Sequence, residues 1–426
     1  MSVCFTIYLD GARLNPQSIN SFKITLSMKS LLPIGELRLN DKGGTFIGSL
    51  GARMGSIVMA QLTESLTTSD GKEPNSSNVV DSKVKPINLV PLVVCRVIDN
   101  NKDGQEYMGG EVILSLAHPW AIFKSFNNHA YPPSTLSNVV QTVIEDKSRG
   151  YTIPVGKIDI TDDTAGTPRY KCGISDDEFL QQLLLPFLIS DANPMYSFID
   201  DLGNYNLRTF ENIYKDEATV ALVPNQLTWI AISKDYGEAN PSVKEIANYD
   251  SLTLDIGGAS IREMLSSLSP KVYFEDTLSG SIKSGILRKS FKIGKGTNFL
   301  PINKTLMDLG PISNGYMYQY RTMEDAVGLM HSSTKTLNEL ISLQVSSTFC
   351  GTNLPIGSSV KLCVLSNTSE KKKSMHWLSG SYVIMDKTYY SEGEMLEAKI
   401  ITTIAKPIVE TLGSDITKTE TLYSGY

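Results

Sequence analysis

Apolar and polar positions alternate along much of this chain with the two-residue period of a half-buried strand. Val3 to Leu9 alternates, Phe22, Ile24, Leu26 and Met28 repeat the pattern, and Leu37 and Leu39 continue it before the turn Lys42-Gly43-Gly44. Gly55 opens a further run, Ile57 to Leu62, then Leu89 to Ile98 forms another, Asp99 to Gly104 turns the chain, and Tyr107 to Leu116 brings it back. Strands this short, punctuated by Gly, Pro and Asn, predict a small barrel or sandwich, taken as a first β-barrel domain over residues 1–116. From Glu64 to Pro86 the apolar residues nearly vanish, which predicts a long solvated loop or a projecting hairpin, the 64–86 excursion.

The period changes after Ser134. Leu136, Val139, Val140, Val143 and Ile144 form an i, i+3, i+4, i+7, i+8 stripe that predicts a helix. A second helix follows Ser175, with Asp176, Asp177 and Glu178 in its first turn and Phe179, Leu180, Leu183, Leu184, Phe187 and Leu188 on its buried side. Pro186 ends or kinks it. Two strands then meet at Gly203-Asn204, a β-hairpin signature running from Met195 to Arg208. Residues 117–220 therefore read as an α+β domain inserted after the first barrel.

The middle segment, residues 221–340, is less regular and reads as α+β. Ser251 to Leu254 and Lys271 to Phe274 look like strands, and Met323, Ala326, Val327, Met330, Leu337 and Leu340 fall on one helical face. Residues 341–406 return to β, with strands at Ile341–Val345, Leu354–Leu362, Leu378–Ile384 and Ala398–Thr403, and predict a second β-barrel domain. Residues 407–426 read as a polar C-terminal tail. The fold class expected is mixed and mainly β: two small β-barrel domains per chain with an α+β domain between them.

Composition narrows the function. The 426 residues are 41% hydrophobic and 20% charged, a globular balance spread over several domains. The net charge of −6 argues against a phosphate-binding surface. The longest apolar stretches, Asn88 to Ile98 and Phe179 to Ile189, are about half of a membrane span. Met1 to Asp10 lacks the cationic start and unbroken apolar core of a signal peptide, so the chain is expected to stay where it is made or to leave inside something larger. Five cysteines stand singly: Cys95 and Cys363 in apolar runs and Cys4 in an alternating one read as core residues, and Cys172 and Cys350 complete an odd set that forms no disulfide framework. His118, His129, His331 and His376 are equally isolated, so no zinc site is expected.

No constellation names an enzyme. Asp99-Asn100-Asn101-Lys102-Asp103-Gly104 copies half of a calcium loop, but Gly110 occupies the twelfth position and the flanks are strands; a hairpin turn asks for the same residues. Ile293-Gly294-Lys295-Gly296-Thr297 fails the phosphate-loop spacing. Asp200 and Asp201 are adjacent, so they point apart and cannot act as one carboxylate pair. Lys371-Lys372-Lys373 reads as an exposed loop tip, and the sequons at Asn75, Asn303 and Asn367 carry no weight without secretion. No catalytic, cofactor-binding or metal residue is assigned, and no cofactor.

The order of the pieces resembles the baseplate hub proteins of phage tails, which are related to the hub part of the type VI secretion spike and to the late control protein D group. Ser27-Met28-Lys29 through Leu37-Arg38-Leu39-Asn40, then Gly55-Ser56-Ile57-Val58-Met59, looks like that family's first barrel. Thr135 to Asp146 is similar to its short helix, here after Tyr131-Pro132-Pro133. The most telling stretch is Ile174-Ser175-Asp176-Asp177-Glu178-Phe179-Leu180 followed by the hairpin Tyr196 to Asn204, and Leu354 to Val360 with Leu378 to Tyr382 looks like the second barrel. The resemblance covers most of residues 1–220 and roughly 340–405. It departs at the 64–86 excursion and through residues 214–330, and no lysozyme or spike segment follows.

The resemblance implies a non-enzymatic structural protein of the virion, a homotrimer at the tail tip or baseplate, assembled in the host cytoplasm. Its two barrels per chain would match the hexameric tail tube protein on one side and the threefold central spike protein on the other. The tape measure protein and other baseplate proteins are further partners, with no sequence-specific nucleic acid binding and no membrane span; an acidic wall would let DNA pass without sticking. The alternatives are the hub of a contractile injection or secretion machine and, from another class, a tail-associated cell-wall hydrolase. A carbohydrate-binding β protein would show clustered aromatics, whereas Trp120, Trp229 and Trp377 are far apart in sequence.

Overall fold

A computed structural model describes residues 2–41, 46, 52–65, 86–100, 110–122, 128–146, 151–159, 168–184, 195–224, 242–256, 271–276, 281–293, 318–320, 341–347, 354–366, 374–375, 378–393, 396–406 and 409–423. The fold is mainly β and multi-domain, built on a 15-stranded sheet.

One strand organises that sheet. Gly380–Glu392 is 13 residues long and pairs antiparallel with Lys399–Lys406 along most of its length. On its other side it pairs first with Ser359–Leu362 and then with Ile19–Ser27. The change of partner coincides with a register shift between Ile384 and Asp386, where Met385 accepts the backbone N–H of Met28. Tyr382 to Met385 is buried continuously, because both faces are covered; from Lys387 onward burial alternates, as it does where one face meets solvent.

From this shared strand the N-terminal half runs through Ile19–Ser27, Ile34–Asn40, Glu111–Ala117, Leu92–Asn100, Ile57–Ser65 and Ser2–Leu9 to the short edge Ala12–Arg13. Phe22, Ile24, Leu26, Leu37, Leu39, Val112, Leu114 and Leu116 fill its inner face, the alternation read in the sequence. The first strand meets the shared region again at one bridge, Cys4 with Glu397, where Phe5 donates to the Leu396 carbonyl at 3.0 Å.

The C-terminal half takes two further branches. Lys399–Lys406 pairs with Ile341–Ser347, which pairs with Ser251–Ile256. Ser359–Leu362 pairs with Val220–Pro224, which pairs with Glu245–Tyr249, both in parallel. Glu245–Tyr249 and Ser251–Ile256 are joined at Asp250, whose N–H donates to the Ser346 carbonyl at 2.8 Å. The circuit thus returns through a covalent joint. Among the described residues, neither half closes through an unbroken ladder.

The α+β unit lies between the halves in sequence. Its helix Leu136–Ile144 is capped one residue after the expected Ser134, because the Thr135 hydroxyl accepts the Asn138 N–H; Leu136, Val139, Val140, Val143 and Ile144 are buried, as the stripe predicts. In helix Asp176–Leu184, Ser175 N–H donates to Glu178 Oε2 at 2.9 Å and Glu178 N–H to the Ser175 hydroxyl at 3.5 Å, a capping box. Met195–Ile199 and Tyr205–Thr209 form the expected hairpin, and Val155–Ile158 joins it in parallel. Helix Phe210–Lys215 then packs against the shared strand.

Val409–Tyr423 corrects the expectation of a tail. It is a 15-residue strand paired antiparallel with Ser281–Ile293 in a four-stranded sheet that includes Lys271–Asp276 and Tyr318–Tyr320. The segment is polar but rich in threonine, which favours extended backbone, and in register it sets Asp415 opposite Arg288 and Glu410 opposite Lys292. The expected helix over residues 323–340, the 64–86 excursion between Ser65 and Pro86, and Pro186 lie outside the described residues.

Candidate functional site

Two kinds of feature stand out among the described residues: buried joints between segments distant in sequence, and apolar side chains exposed on an outer face. The first kind is built around the hairpin turn at Asp200 and Asp201.

Asp200 follows strand Met195–Ile199, and its carboxylate accepts from the N–H groups of Leu202 and Asn204 at 3.0 and 2.9 Å and from the Asn206 side chain at 3.1 Å. It holds its own turn. Gly203, at φ +87°, supplies the left-handed residue the turn requires. Asp201 points away and is buried. Its Oδ2 accepts the Ile356 N–H at 2.7 Å, while its Oδ1 takes the Tyr389 hydroxyl and lies 3.1 Å from Lys387 Nζ. Lys387 also donates to the Leu354 carbonyl at 2.8 Å, and Val90 N–H donates to the Asp201 carbonyl at 3.0 Å. One residue of the α+β unit therefore binds the shared strand, the loop before Ser359–Leu362 and the segment leading into Leu92–Asn100. The two carboxylates hold different partners, although both residues lie in the turn after the strand and not within it.

Beside this joint Arg208 bridges Asp159 at 3.1 Å and Asp216 at 3.0 Å. Gly357, at φ +72°, lies so close to the Phe198 ring that an added Cβ would stand 2.1 Å from Cζ. Tyr205 is buried with its hydroxyl accepting from Ser197 at 3.0 Å, and burial pushes its pKa up to about 12. Lys171 and Asp176 form a buried ion pair at 2.6 Å under the second helix. Among the described residues, no group of three or more His, Cys, Asp and Glu side chains could hold a metal, and no helix is long and apolar enough to cross a membrane.

The second kind is an apolar row on the outer face of the N-terminal half. Ile57 stands opposite Val93, Val93 opposite Ala117, and Ala117 opposite Ile34, so these four side chains share one face across four strands. Ile34 is 58% exposed, Ile57 48%, Met59 43%, and Met54, in the turn before the strand, 73%. Val93, between Ile57 and Ala117, is itself buried at 6% exposure, so the exposed Ile57 and Met59 on one strand and Ile34 on another flank a covered centre.

Other residues singled out in the sequence fall elsewhere. Trp120 is buried, and Phe179 stacks on Tyr131 with ring centroids 5.2 Å apart. Cys363 is buried as expected, but Cys95 is exposed: a register shift between Val94 and Arg96 turns it out of the core, where its thiol donates to the Ser115 carbonyl. Residues 101–109, 294–300, 371–373, Trp229, Trp377, Cys350, His331, His376 and the three sequons lie outside the described residues. The apolar row and the Asp201 joint were not singled out in the sequence. Ile57 and Met59 were there to be seen as the outward half of an alternating strand, but Asp201 carried no sign of partners 155 and 188 residues away.

No protein-family model and no curated protein matches the sequence. Solved structures do match the fold. The 43 kDa tail protein of prophage MuSo2 from Shewanella oneidensis is similar over 96% of this chain and 100% of its own, with a TM-score of 0.54 at 12% identity. The tail protein from Neisseria meningitidis MC58 is similar over 95% of this chain and 97% of its own, with a TM-score of 0.51 at 8% identity. The chain has the fold of phage tail proteins, and the likeness to tail hubs read in the sequence is borne out at that level.

Proposed function

We propose that this chain is a structural hub of a phage tail, a non-enzymatic symmetry adaptor that forms a homotrimer between the hexameric tail tube and the threefold spike. The observation that carries the reading is the likeness to a prophage tail protein along the whole of both chains. Two β units per chain, joined rigidly through a shared strand, support it further. Three such chains offer six units to a hexameric tube while keeping threefold symmetry for a spike.

On this reading function lies in surfaces. The tube protein, the central spike protein, the tape measure protein and other baseplate proteins are the partners. The apolar row of Ile34, Ile57 and Met59 faces a neighbouring copy, and the 64–86 excursion reaches a neighbouring subunit or the tube protein. The net charge of −6 suits a conduit that lets DNA pass.

Antibody labelling of purified tails tests the location. Label confined to the tail tip is expected. Label along the whole tube, or none on purified tails, would overturn the proposal. Clearing of cell-wall material in a zymogram of the purified chain would transfer the reading to a tail-associated hydrolase.

A further inference from the structure

We infer that His118 is an acid-operated latch at the joint between the N-terminal sheet and the α+β unit. The chain leaves strand Glu111–Ala117 at this residue and enters helix Pro119–Ile122 directly after it. The His118 N–H donates to the Pro33 carbonyl at 3.1 Å, which fixes it to the start of strand Ile34–Asn40. Its carbonyl accepts the Ala121 N–H at 2.9 Å, and its Nδ1 accepts the Trp120 N–H at 3.3 Å, so the imidazole caps the helix. The ring meets Tyr151, from the segment before strand Val155–Ile158, edge-on at 5.5 Å. One residue thus holds the sheet through its backbone N–H and, through its fully buried imidazole, the helix start and the inserted unit.

The hydrogen bonding fixes its protonation state. An Nδ1 that accepts belongs to the neutral tautomer with its proton on Nε2, and Nε2 has no partner among the described residues. A second proton would go to Nδ1, where it would face the Trp120 N–H donor to donor, and would place a charge in an enclosure of Pro33, Trp120 and Tyr151. The Tyr151 hydroxyl is the titratable group packed against the ring; burial raises its pKa, so it stays neutral in acid and cannot compensate. Burial also lowers His118 from 6.5 to about 4, and no charged side chain contributes. Once the joint opens and the imidazole is hydrated, its pKa returns to the ordinary value. Opening is then favoured about 150-fold more at pH 4 than near neutrality. The joint is shut at neutral pH and loosens in acid, reversibly, while the two sheets' cores stay folded.

Trp120 is the natural reporter, because a protonated imidazole quenches a neighbouring indole. In full-length protein carrying Trp229→Phe and Trp377→Phe, its fluorescence should fall reversibly with a midpoint between pH 4 and 6.5 while far-ultraviolet circular dichroism stays native. His118→Asn, which keeps an acceptor for the Trp120 N–H and does not titrate, should abolish the change. The same midpoint in that variant, or a change that coincides with loss of circular dichroism, overturns the proposal. Should these variants fail to fold, histidine C2–H exchange by mass spectrometry on the unaltered chain decides. His118 should exchange far more slowly than exposed His129 and show an apparent pKa well below 6.5; an apparent pKa between 6 and 7 overturns the latch.

Discussion

The Asp201 carboxylate binds three groups from two other parts of the chain, and its energetics follow from burial. Lys387 is almost wholly enclosed, so removing the negative charge takes away the carboxylate that stands 3.1 Å from a buried ammonium. Asp201→Asn should destabilise the protein by about 3–5 kcal/mol in denaturant unfolding. Asp201→Asn combined with Lys387→Met should cost less than the single change, because the buried charge leaves with its partner; an additive result would show that the pair is not coupled. His118 gives a pH dependence of known sign. Its folded pKa is depressed, to about 4 from an ordinary 6.5, so the folded state binds fewer protons than the unfolded one. Stability is full above pH 6.5 and declines as the pH falls toward 4, by on the order of 3 kcal/mol from this group alone. Unfolding midpoints measured between pH 7.5 and 4 should fall less in His118→Asn than in the unaltered protein.

At the scale of the element, local signals translated directly into structure. The stripe from Leu136 to Ile144, the acidic first turn at Asp176 and the Gly203-Asn204 turn each act within a few residues, and helix, helix and hairpin stand where they were read. Pairing between distant segments left no such trace. Val220–Pro224 lies beside Ser359–Leu362, and Val409–Tyr423 beside Ser281–Ile293, and periodicity alone cannot choose between such partners. The register shift that exposes Cys95 is equally silent, because an alternating run looks the same with or without one extra residue. Contact between the hairpin and the C-terminal half is close enough to test by one methyl group. Gly357→Ala adds a Cβ at positive φ against the buried Phe198 ring, and should cost roughly 2–4 kcal/mol in thermal or denaturant unfolding. A loss under half a kcal/mol would mean that the loop and ring separate freely.

For the whole molecule, strand Gly380–Glu392 belongs to both halves, and the Asp201 joint ties the α+β unit to it, so forces at one β unit reach the other through covalent and buried contacts. The 64–86 excursion connects two strands of this frame, Ile57–Ser65 and Ile87–Asn88. The strands on either side of it pair directly, Gln61 with Asn88 and Leu62 with Ile87, so its ends are held without it. Deleting residues 69–78 should leave the melting temperature within a few degrees of the unaltered chain while reducing assembly with copies or tube protein; unchanged assembly would reject a contact role for it. The most direct test of the hub account is the mass of the purified chain by light scattering on a sizing column, with images of the same peak. A homotrimer of the 46.8 kDa chain, about 140 kDa, with a ring of sixfold outline is the predicted result. A compact monomer of 46.8 kDa that remains one when the spike and tube proteins are added would contradict it.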